Sequence, residues 1–472
     1  MQFEPKKIDL SPNSQIHLIG IGGAGMSGIA RGLIKKGFLV SGSDLKPSPN
    51  TQSLERLGVQ VMYGHSEGNV AMADVVVVSS AIPQSNPELL KAIQMRSPIY
   101  QRAEMLNWLM TGFKTRCVVA GTHGKTTTTI MITKIFEAAG LNPSYVVGAN
   151  RLDSGINSEI HSGEACIVEG DESDGSILCY DASHLVITNL EEEHMNYYKT
   201  RENLMLHFKK VMQRVIDHKG LLFINEEDEN TMSLREAAWG PSLRFFSLKK
   251  GKGLYPKNCQ FSSEGTRFEL YENDNLVAEI VLSTQGYHNI SNALAAIQFA
   301  REYDIPLGAI KKGLASFSGA KRRLENIFAN DTVSIYDDYA HHPTEIITTL
   351  NGARNLVEGR LICIFQPHRY SRTQELFSEF VHSFSESDWL ILMDIFPANE
   401  APIEGIHSQK LKEVISSQYP QLRVGYFSEV ESLIKHLCPD LIRGDVVVTM
   451  GAGNVGDIAK KIAKQLIKET ES

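Results

Sequence analysis

The chain has 472 residues, 42% hydrophobic and 22% charged, a globular composition with room for about three domains of roughly 150 residues. Its 47 Lys+Arg against 55 Asp+Glu leave a net charge of −8, which excludes a whole-chain basic field for nucleic acid or an anionic membrane. No apolar run reaches the ~20 residues that span a bilayer. The opening MQFEPKKIDLSPNSQ lacks the apolar stretch of a signal peptide. Six scattered cysteines without a C-x-x-C pair read as reduced thiols of a cytoplasmic protein.

In chain order, the first signal is a strand over Ile16–Gly20 that runs into Gly20-Ile21-Gly22-Gly23-Ala24-Gly25-Met26 and a helical stretch. This G-x-G-x-x-G spacing lets the backbone approach a pyrophosphate, whose charge meets the amides of a helix N-terminus. A second strand, FLVSGSD, ends at Asp44, placed to accept ribose hydroxyls. The pattern predicts nucleotide binding without choosing between NAD and a UDP-sugar, since both present a pyrophosphate. Val75–Ser79 reads as a further buried strand, and TGFKT at 111–115 marks a domain boundary.

A strand over Cys117–Ala120 then enters Gly121-Thr122-His123-Gly124-Lys125-Thr126-Thr127 and the helix IMITKIFEAAG. Gly-Lys-Thr at a strand-to-helix turn offers amides for phosphates, a cation for the β/γ oxygens and a hydroxyl for Mg²⁺. The usual first glycine of the G-x-x-x-x-G-K-T spacing is Val119 here. The strand Cys166–Glu169 ends in Glu169-Gly170-Asp171-Glu172-Ser173-Asp174. Four carboxylates in six residues repel one another unless a cation intervenes, and Mg²⁺ (or Mn²⁺) beside ATP is the economical ion. The strand Leu185–Asn189 leads into Glu191-Glu192-Glu193-His194, so His194 falls at a neighbouring strand end.

Leu221–Asn225 reads as a strand, and GTRFELYENDNLVAEIVLS as an antiparallel hairpin around Glu-Asn-Asp-Asn. SGAK at 318–321 marks a second boundary. Beyond it, strands are predicted over Val333–Tyr336, Leu361–Phe365, Leu390–Asp394 and Val446–Met450. The last enters a second G-x-G-x-x-G match, Gly451–Gly456. Too little chain follows for a dinucleotide half-fold, so this loop reads as a structural strand-to-helix turn. Strands alternating with helix-length segments predict an α/β fold built on parallel sheets.

Taken together, GIGGAGMSGIA (20–30), SGSD (41–44), GTHGKTTTT (121–129), EGDESD (169–174), TNLEEEH (188–194), GYHNISNALAA (286–296), KRRLE (321–325), DDYAHHPTE (337–345) and FQPHRYSRT (365–373) resemble the Mur ligase family over essentially the whole chain. The resemblance implies three α/β domains: a UDP-sugar-binding Rossmann-like domain over 1–112, a central P-loop ATPase-type domain over 113–317 and a C-terminal Rossmann-like domain over 318–472. It implies ATP-dependent attachment of L-alanine to the lactyl carboxylate of UDP-N-acetylmuramate through an acyl phosphate, in cytoplasmic peptidoglycan precursor synthesis, by a monomer or homodimer.

By motif match, Lys125 and Thr126 fall on the ATP phosphates and magnesium, and Glu169 and His194 on metal-binding positions. Asn289, Arg323 and Asp338 fall on nucleotide-contacting positions. His341, Arg369 and Arg372 face the reacting carboxylate and the incoming amino acid. Gly170 replaces a common alanine, Glu193 an aspartate before the metal-site histidine and Asn196 another aspartate, which bears on the geometry around the ligands. A tripeptide-attaching ligase, an NAD-dependent oxidoreductase and a non-catalytic nucleotide sensor are the competing readings. The last two leave Gly-Lys-Thr, the acid cluster or the arginine-rich third domain without a role.

Overall fold

The computed structural model describes residues 7–262 and 265–470. The chain divides into two compact units. One holds the described residues up to Cys259 with Phe268–Val281 and Asn289–Ser318. The other holds the described part of 260–267, Leu282–His288 and the chain from Gly319 onward.

The first unit opens with five strands: β1 (Gln15–Ile19), β2 (Leu39–Asp44), β3 (Gln60–Tyr63), β4 (Val75–Val78) and β5 (Ile99–Gln101). Their order is β3-β2-β1-β4-β5, and every pair is parallel. β4 reads Val-Val-Val-Val because it is buried on both faces between β1 and β5. The short β3 and β5 carry too little apolar pattern to be predicted from sequence.

A larger sheet follows, made of β6 (Thr115–Ala120), β7 (Ser144–Val146), β8 (Ser158–Glu159), β9 (Ala165–Glu169), β10 (His184–Ile187), β11 (Leu221–Asn225), β12 (Leu243–Phe246), β13 (Leu254–Ser262), β14 (Gly265–Glu272) and β15 (Asn275–Leu282). Its order is β15-β14-β13-β12-β11-β10-β6-β9-β7-β8. β6 lies between β10 and β9, parallel to both. The glycine loop after β6 and the acidic loops after β9 and β10 therefore emerge at one sheet edge. The predicted hairpin is β14–β15, turned by Asn273 and Asp274 with φ of 48° and 64°, the left-handed pair that a two-residue turn needs. One buried apolar cluster joins the two sheets, running from Ile16, Met26 and Leu33 to Val118, Ile177 and Phe208.

The second unit carries β16 (Glu325–Ala329), β17 (Val333–Asp338), β18 (Leu361–Phe365), β19 (Trp389–Leu392), β20 (Arg423–Tyr426) and β21 (Asp445–Met450) in the order β16-β17-β21-β18-β19-β20. Only β16 is antiparallel to its neighbour. The last strand in sequence occupies the middle, and its six residues are all buried. No disulfide links the six cysteines, five of which are buried. Among the described residues no helix is long and apolar enough to cross a membrane.

Candidate active site

β6 ends in a loop whose shape follows from two glycines. Gly121 has φ of 129°, and a Cβ there would stand 2.8 Å from the Asn189 carbonyl oxygen. Gly124 has φ of 82°, and a Cβ there would strike the Asn292 amide oxygen. The loop is pinned to the end of β10: Thr122 N donates to Asn189 O at 2.9 Å, His123 N to Asn189 Oδ1 at 2.9 Å, and Glu191 N to Thr122 Oγ1 at 2.8 Å. Thr128 Oγ1 donates to Asn292 Oδ1 at 3.2 Å. Asn292 is thus a brace that sequence reasoning missed, one helical turn beyond Asn289 in the helix Tyr287–Arg301.

The helix Lys125–Ala138 begins at the predicted Lys-Thr-Thr. Lys125 Nζ donates to Gly121 O at 2.6 Å, Thr122 O at 3.0 Å and Glu172 Oε1 at 2.8 Å. Burial disfavours its charge, but Glu172 and Glu169 outweigh that and raise the ammonium above its usual range. Thr126 Oγ1 donates to Glu169 Oε2 at 2.7 Å, and the same oxygen accepts Gly148 N at 2.7 Å. Thr127 is buried in the same turn.

His194 lies at the same sheet edge, and its carboxylate neighbours are Glu172 and Glu193 rather than Glu169. Its Nε2 lies 3.5 Å from Glu172 Oε1 and 3.7 Å from Glu193 Oε2. Burial opposes protonation of the ring, and the two carboxylates outweigh it and raise the imidazole pKa. The longer Glu193 reaches the group, so Glu172, Glu193 and His194 hold ligand atoms within 4.8 Å of one another. At the other departure, the Asn196 carbonyl accepts from Lys199 Nζ. Glu172 Oε2 is buried and has no hydrogen-bond partner. An acceptor left over beside a histidine and one further carboxylate, Glu193, suits a hard divalent cation.

In the first glycine loop, Gly20 has φ of 82°, and Gly20 N and Ile21 N both donate to Ser43 O. Asp44 Oδ2 accepts Gly22 N at 2.8 Å and Oδ1 accepts Leu45 N at 2.8 Å. The acid predicted for ribose thus ties the loop to β2. Gly23 caps the helix Ala24–Lys35, in which Met26 is buried. Arg102 stands beside the start of that helix: a Cβ at Gly25 would lie 2.9 Å from Arg102 Nη1. Nothing in a glycine pattern announces Arg102.

In the second unit, Asp338 accepts Leu324 N and Ala340 N, each at 2.7 Å. Burial raises its pKa to about 6 against the lowering pull of Arg323. Both Asp338 oxygens are engaged with this unit's own backbone. Arg323 Nη1 lies 3.7 Å from Glu345 Oε1, and the guanidinium sits over Tyr339. His341 Nδ1 is 2.9 Å from Tyr339 O and 3.3 Å from Glu345 Oε2. The His341 and His368 rings stand 6.1 Å apart, and Arg372 Nη1 is 3.4 Å from His368 Nδ1. Burial, with Arg372, His341 and Arg369 nearby, lowers the His368 pKa to about 4. Arg369 has φ of 71° and its amide donates to Phe396 O at 2.8 Å. The structure thus groups His341 with the Arg369–Arg372 turn after β18.

The closing glycine loop is filled from within. Arg322 donates to the Gly451 and Gly453 carbonyls, and Asp337 stands against Gly456, where the helix Gly456–Thr470 begins. This agrees with a structural turn.

Three family models match in succession: the Mur ligase family catalytic domain over 15–114, the Mur ligase middle domain over 119–300 and the Mur ligase glutamate ligase domain over 322–453. A UDP-N-acetylmuramate--L-alanine ligase of Geobacter sp. (strain M21) is 40% identical over 461 residues, 97% of this chain and 99% of that protein. The ligase of the same name from Sulfurihydrogenibium sp. (strain YO3AOP1) is 40% identical over 455 residues, 96% and 98% of the two chains. Among solved structures, a UDP-N-acetylmuramate-alanine ligase from Thermotoga maritima superposes with a TM-score of 0.81 at 25% identity, covering 96% of this chain and 99% of that one. A murein peptide ligase from Psychrobacter arcticus shares the fold with a TM-score of 0.65 at 24% identity, covering 96% and 98%. This chain belongs to the Mur ligase family.

Proposed function

We propose that the chain joins L-alanine to the lactyl carboxylate of UDP-N-acetylmuramate at the expense of ATP, releasing ADP and phosphate, as a step in cytoplasmic peptidoglycan precursor synthesis. The relatives that match nearly end to end carry that activity in their names. The observation that carries the reading is the convergence of Lys125 and Thr126 with Glu169, Glu172 and His194 at one sheet edge. A carboxylate does not condense with an amine in water, and this edge supplies what activation needs: a cation for phosphate oxygens, and a hydroxyl and carboxylates for a metal.

Lys125 holds the β/γ phosphates of ATP, exchanging its bond to Glu172 for phosphate oxygens. Gly121–Thr127 offer the loop amides. Thr126, Glu169 and His194, with Glu172 and Glu193, hold the divalent ion, Mg²⁺ or Mn²⁺, which when bound offsets phosphate charge. Gly20–Met26 and Asp44 hold the sugar nucleotide. Asn289, Arg323 and Asp338 serve the adenine nucleotide, and His341, Arg369 and Arg372 the acyl phosphate and alanine. The γ-phosphoryl group passes to the lactyl carboxylate, the neutral amine attacks the acyl phosphate, and phosphate leaves. Positioning and charge neutralisation supply most of such catalysis. Domain boundaries near 112 and 317 accord with the spans of the three family models.

The test is phosphate release with ATP, UDP-N-acetylmuramate and single amino acids, with a tripeptide in a parallel arm. Release that depends on alanine and yields the alanyl product supports the reading. Release with the tripeptide alone, or none with any acceptor, overturns it.

A further inference from the structure

Two side chains from outside both nucleotide loops meet the start of the helix Ala24–Lys35. Asn157, 1% exposed, donates from Nδ2 to the Ala24 carbonyl at 2.5 Å, across 133 residues of sequence. Arg102 occupies the space beside Gly25. These are the positions at which the first loop becomes a helix.

Each side chain leads back to the acidic loop after β9. Arg102 Nη2 donates to Asp171 Oδ2 at 2.6 Å. Asn157 closes a strap over 147–157, whose ends are joined by Val147 N donating to Asn157 O at 2.9 Å. The same strap presents Gly148 N to Glu169 Oε2, the oxygen that also accepts from Thr126. Arg151 stiffens the strap, forking to Glu137 at 2.5 and 3.0 Å and to Asp153 at 3.0 and 2.6 Å, with its guanidinium 4.9 Å from the Tyr145 ring.

Through glycines the helix also packs closely against β8 of the central sheet and against the helix Arg102–Met110. A Cβ at Gly28 would lie 3.0 Å from Ser158 Cβ, and one at Gly32 would lie 2.9 Å from Leu109 Cδ1. Close-packed elements of this kind transmit displacement rather than absorb it.

We propose that Arg102 and Asn157 are positioning residues that couple the ATP-side carboxylates Glu169 and Asp171 to the sugar-nucleotide loop at Ala24–Gly25, so that filling one site readies the other. The inference rests on the functional reading above. A nucleotide and metal that draw on Thr126 and Glu169 change what Gly148 is bonded to, and the strap carries that change to Ala24. By linkage the sugar nucleotide must act on the ATP site with equal strength.

The test titrates the full chain with UDP-N-acetylmuramate by calorimetry, with and without a non-hydrolysable ATP analogue and Mg²⁺. In the parent the analogue tightens sugar-nucleotide binding by about fivefold or more, the lower end of ordinary coupling. Asn157→Ala and Arg102→Lys each still bind the analogue alone, and the tightening falls below about twofold. A purely structural role would lower both affinities or the melting temperature and leave their ratio alone. Parental coupling in both variants overturns the inference, as does a parent that binds both ligands independently.

A second measurement does not depend on the variants folding. In the parent, hydrogen exchange across Ala24–Ile29 slows on adding the analogue without sugar nucleotide, and unchanged exchange overturns the coupling. A parent that binds neither ligand overturns the functional reading, and the inference with it.

Discussion

The chain contains the pattern G-x-G-x-x-G twice, each time after a buried strand and before a helix, and the two copies have different surroundings. At Gly20–Gly25 a cation, Arg102, stands beside the helix start, and Asp44 holds the loop by the Gly22 amide. At Gly451–Gly456 the helix start faces the Asp337 carboxylate, and the loop carbonyls are taken by Arg322. A helix N-terminus attracts anions. At the first loop the charge beside the helix start is Arg102, itself paired with Asp171, whereas at the second it is the Asp337 carboxylate. A glycine pattern therefore specifies a turn, and the charge that packs against the turn decides whether a phosphate can use it.

The largest effect that sharpens this contrast is at the glycine loop Gly121–Thr126, which carries its own cation, Lys125. Lys125→Ala should lower ATP-dependent phosphate release by about 10- to 150-fold from the lost charged contact alone, about 1.5–3 kcal/mol. Glu172 keeps His194 at 3.5 Å, so circular dichroism should report a folded chain. Near-parental turnover in a folded variant would remove this loop from the phosphate-binding class.

Next comes a matched pair of substitutions. In Gly22→Ala the new Cβ lies 2.8 Å from Asp44 Oδ2 and 2.9 Å from Thr51 Cγ2. Overpacking costs about 1–3 kcal/mol, so UDP-N-acetylmuramate should bind about 5- to 150-fold more weakly by calorimetry. In Gly453→Ala the Cβ meets the Gln366 amide oxygen and, at 2.7 Å, the Phe396 ring. A similar cost should appear there as a melting temperature lower by about 2–4 °C per kcal/mol, with sugar-nucleotide affinity unchanged. Weaker sugar-nucleotide binding in Gly453→Ala would break the comparison.

A smaller change concerns anion recognition after β18. Arg372→Lys keeps the charge but loses the planar fork that grips a carboxylate by two parallel bonds. The KM for alanine should rise about tenfold, the value of one hydrogen bond to a charged group, while ATP binding holds. Alanine amide should be a poor substrate of the parent. Parental kinetics in Arg369→Ala/Arg372→Ala would move the amino-acid site elsewhere.

The smallest effect is a difference in pH response between the domains that carry the two glycine loops. Glu88 sits under β1 and β2, with Oε2 3.1 Å from His17 Nε2 and 2.6 Å from Ser43 Oγ, and Oε1 2.6 Å from Asn69 Nδ2. Burial alone would raise its pKa, but these bonds outweigh burial and lower it to about 2. A lowered carboxylate stabilises fully above its unfolded value and loses that contribution as pH falls through about 2. Asp338 is raised to about 6 by burial. Its sign is reversed: its contribution is full below the unfolded value near 3.8 and is lost as pH rises through about 6. Hydrogen exchange should therefore show Val75–Val78 losing protection on acidification below about pH 4.5. Asp338→Asn should flatten the pH response of Val446–Val448 between about 4 and 6. Parallel pH responses in the two sheets would contradict the assignment.

Much of the α/β pattern was legible because buried parallel strands are continuous apolar runs. β4, β6, β18 and β21 all fall where the sequence predicts them. The short β3, β5, β7 and β8 and the partly exposed β20 were not, since two to four residues carry no periodicity and their neighbours hold them in place. In the site, Gly-Lys-Thr and the acid cluster announced themselves by residue type and spacing. Asn292, Arg102 and Asn157 did not, because a polar side chain on a helix or strap looks the same in sequence whether it meets solvent or a loop from another element.

The sequence by itself determined the two strand-to-helix glycine loops, the cation at Lys125, the carboxylates after β9 and β10 and the arginine turn after β18. These depend on local backbone geometry and on residue chemistry at fixed spacing. Only the tertiary structure decided that Glu172, not Glu169, pairs with Lys125 and His194, that Asp44 ties down its own glycine loop, and that Arg322 closes the last loop from 129 residues away. Such pairings turn on differences of an ångström in where rigid elements come to rest. Packing of the whole core sets those positions, and no spacing along the chain encodes them.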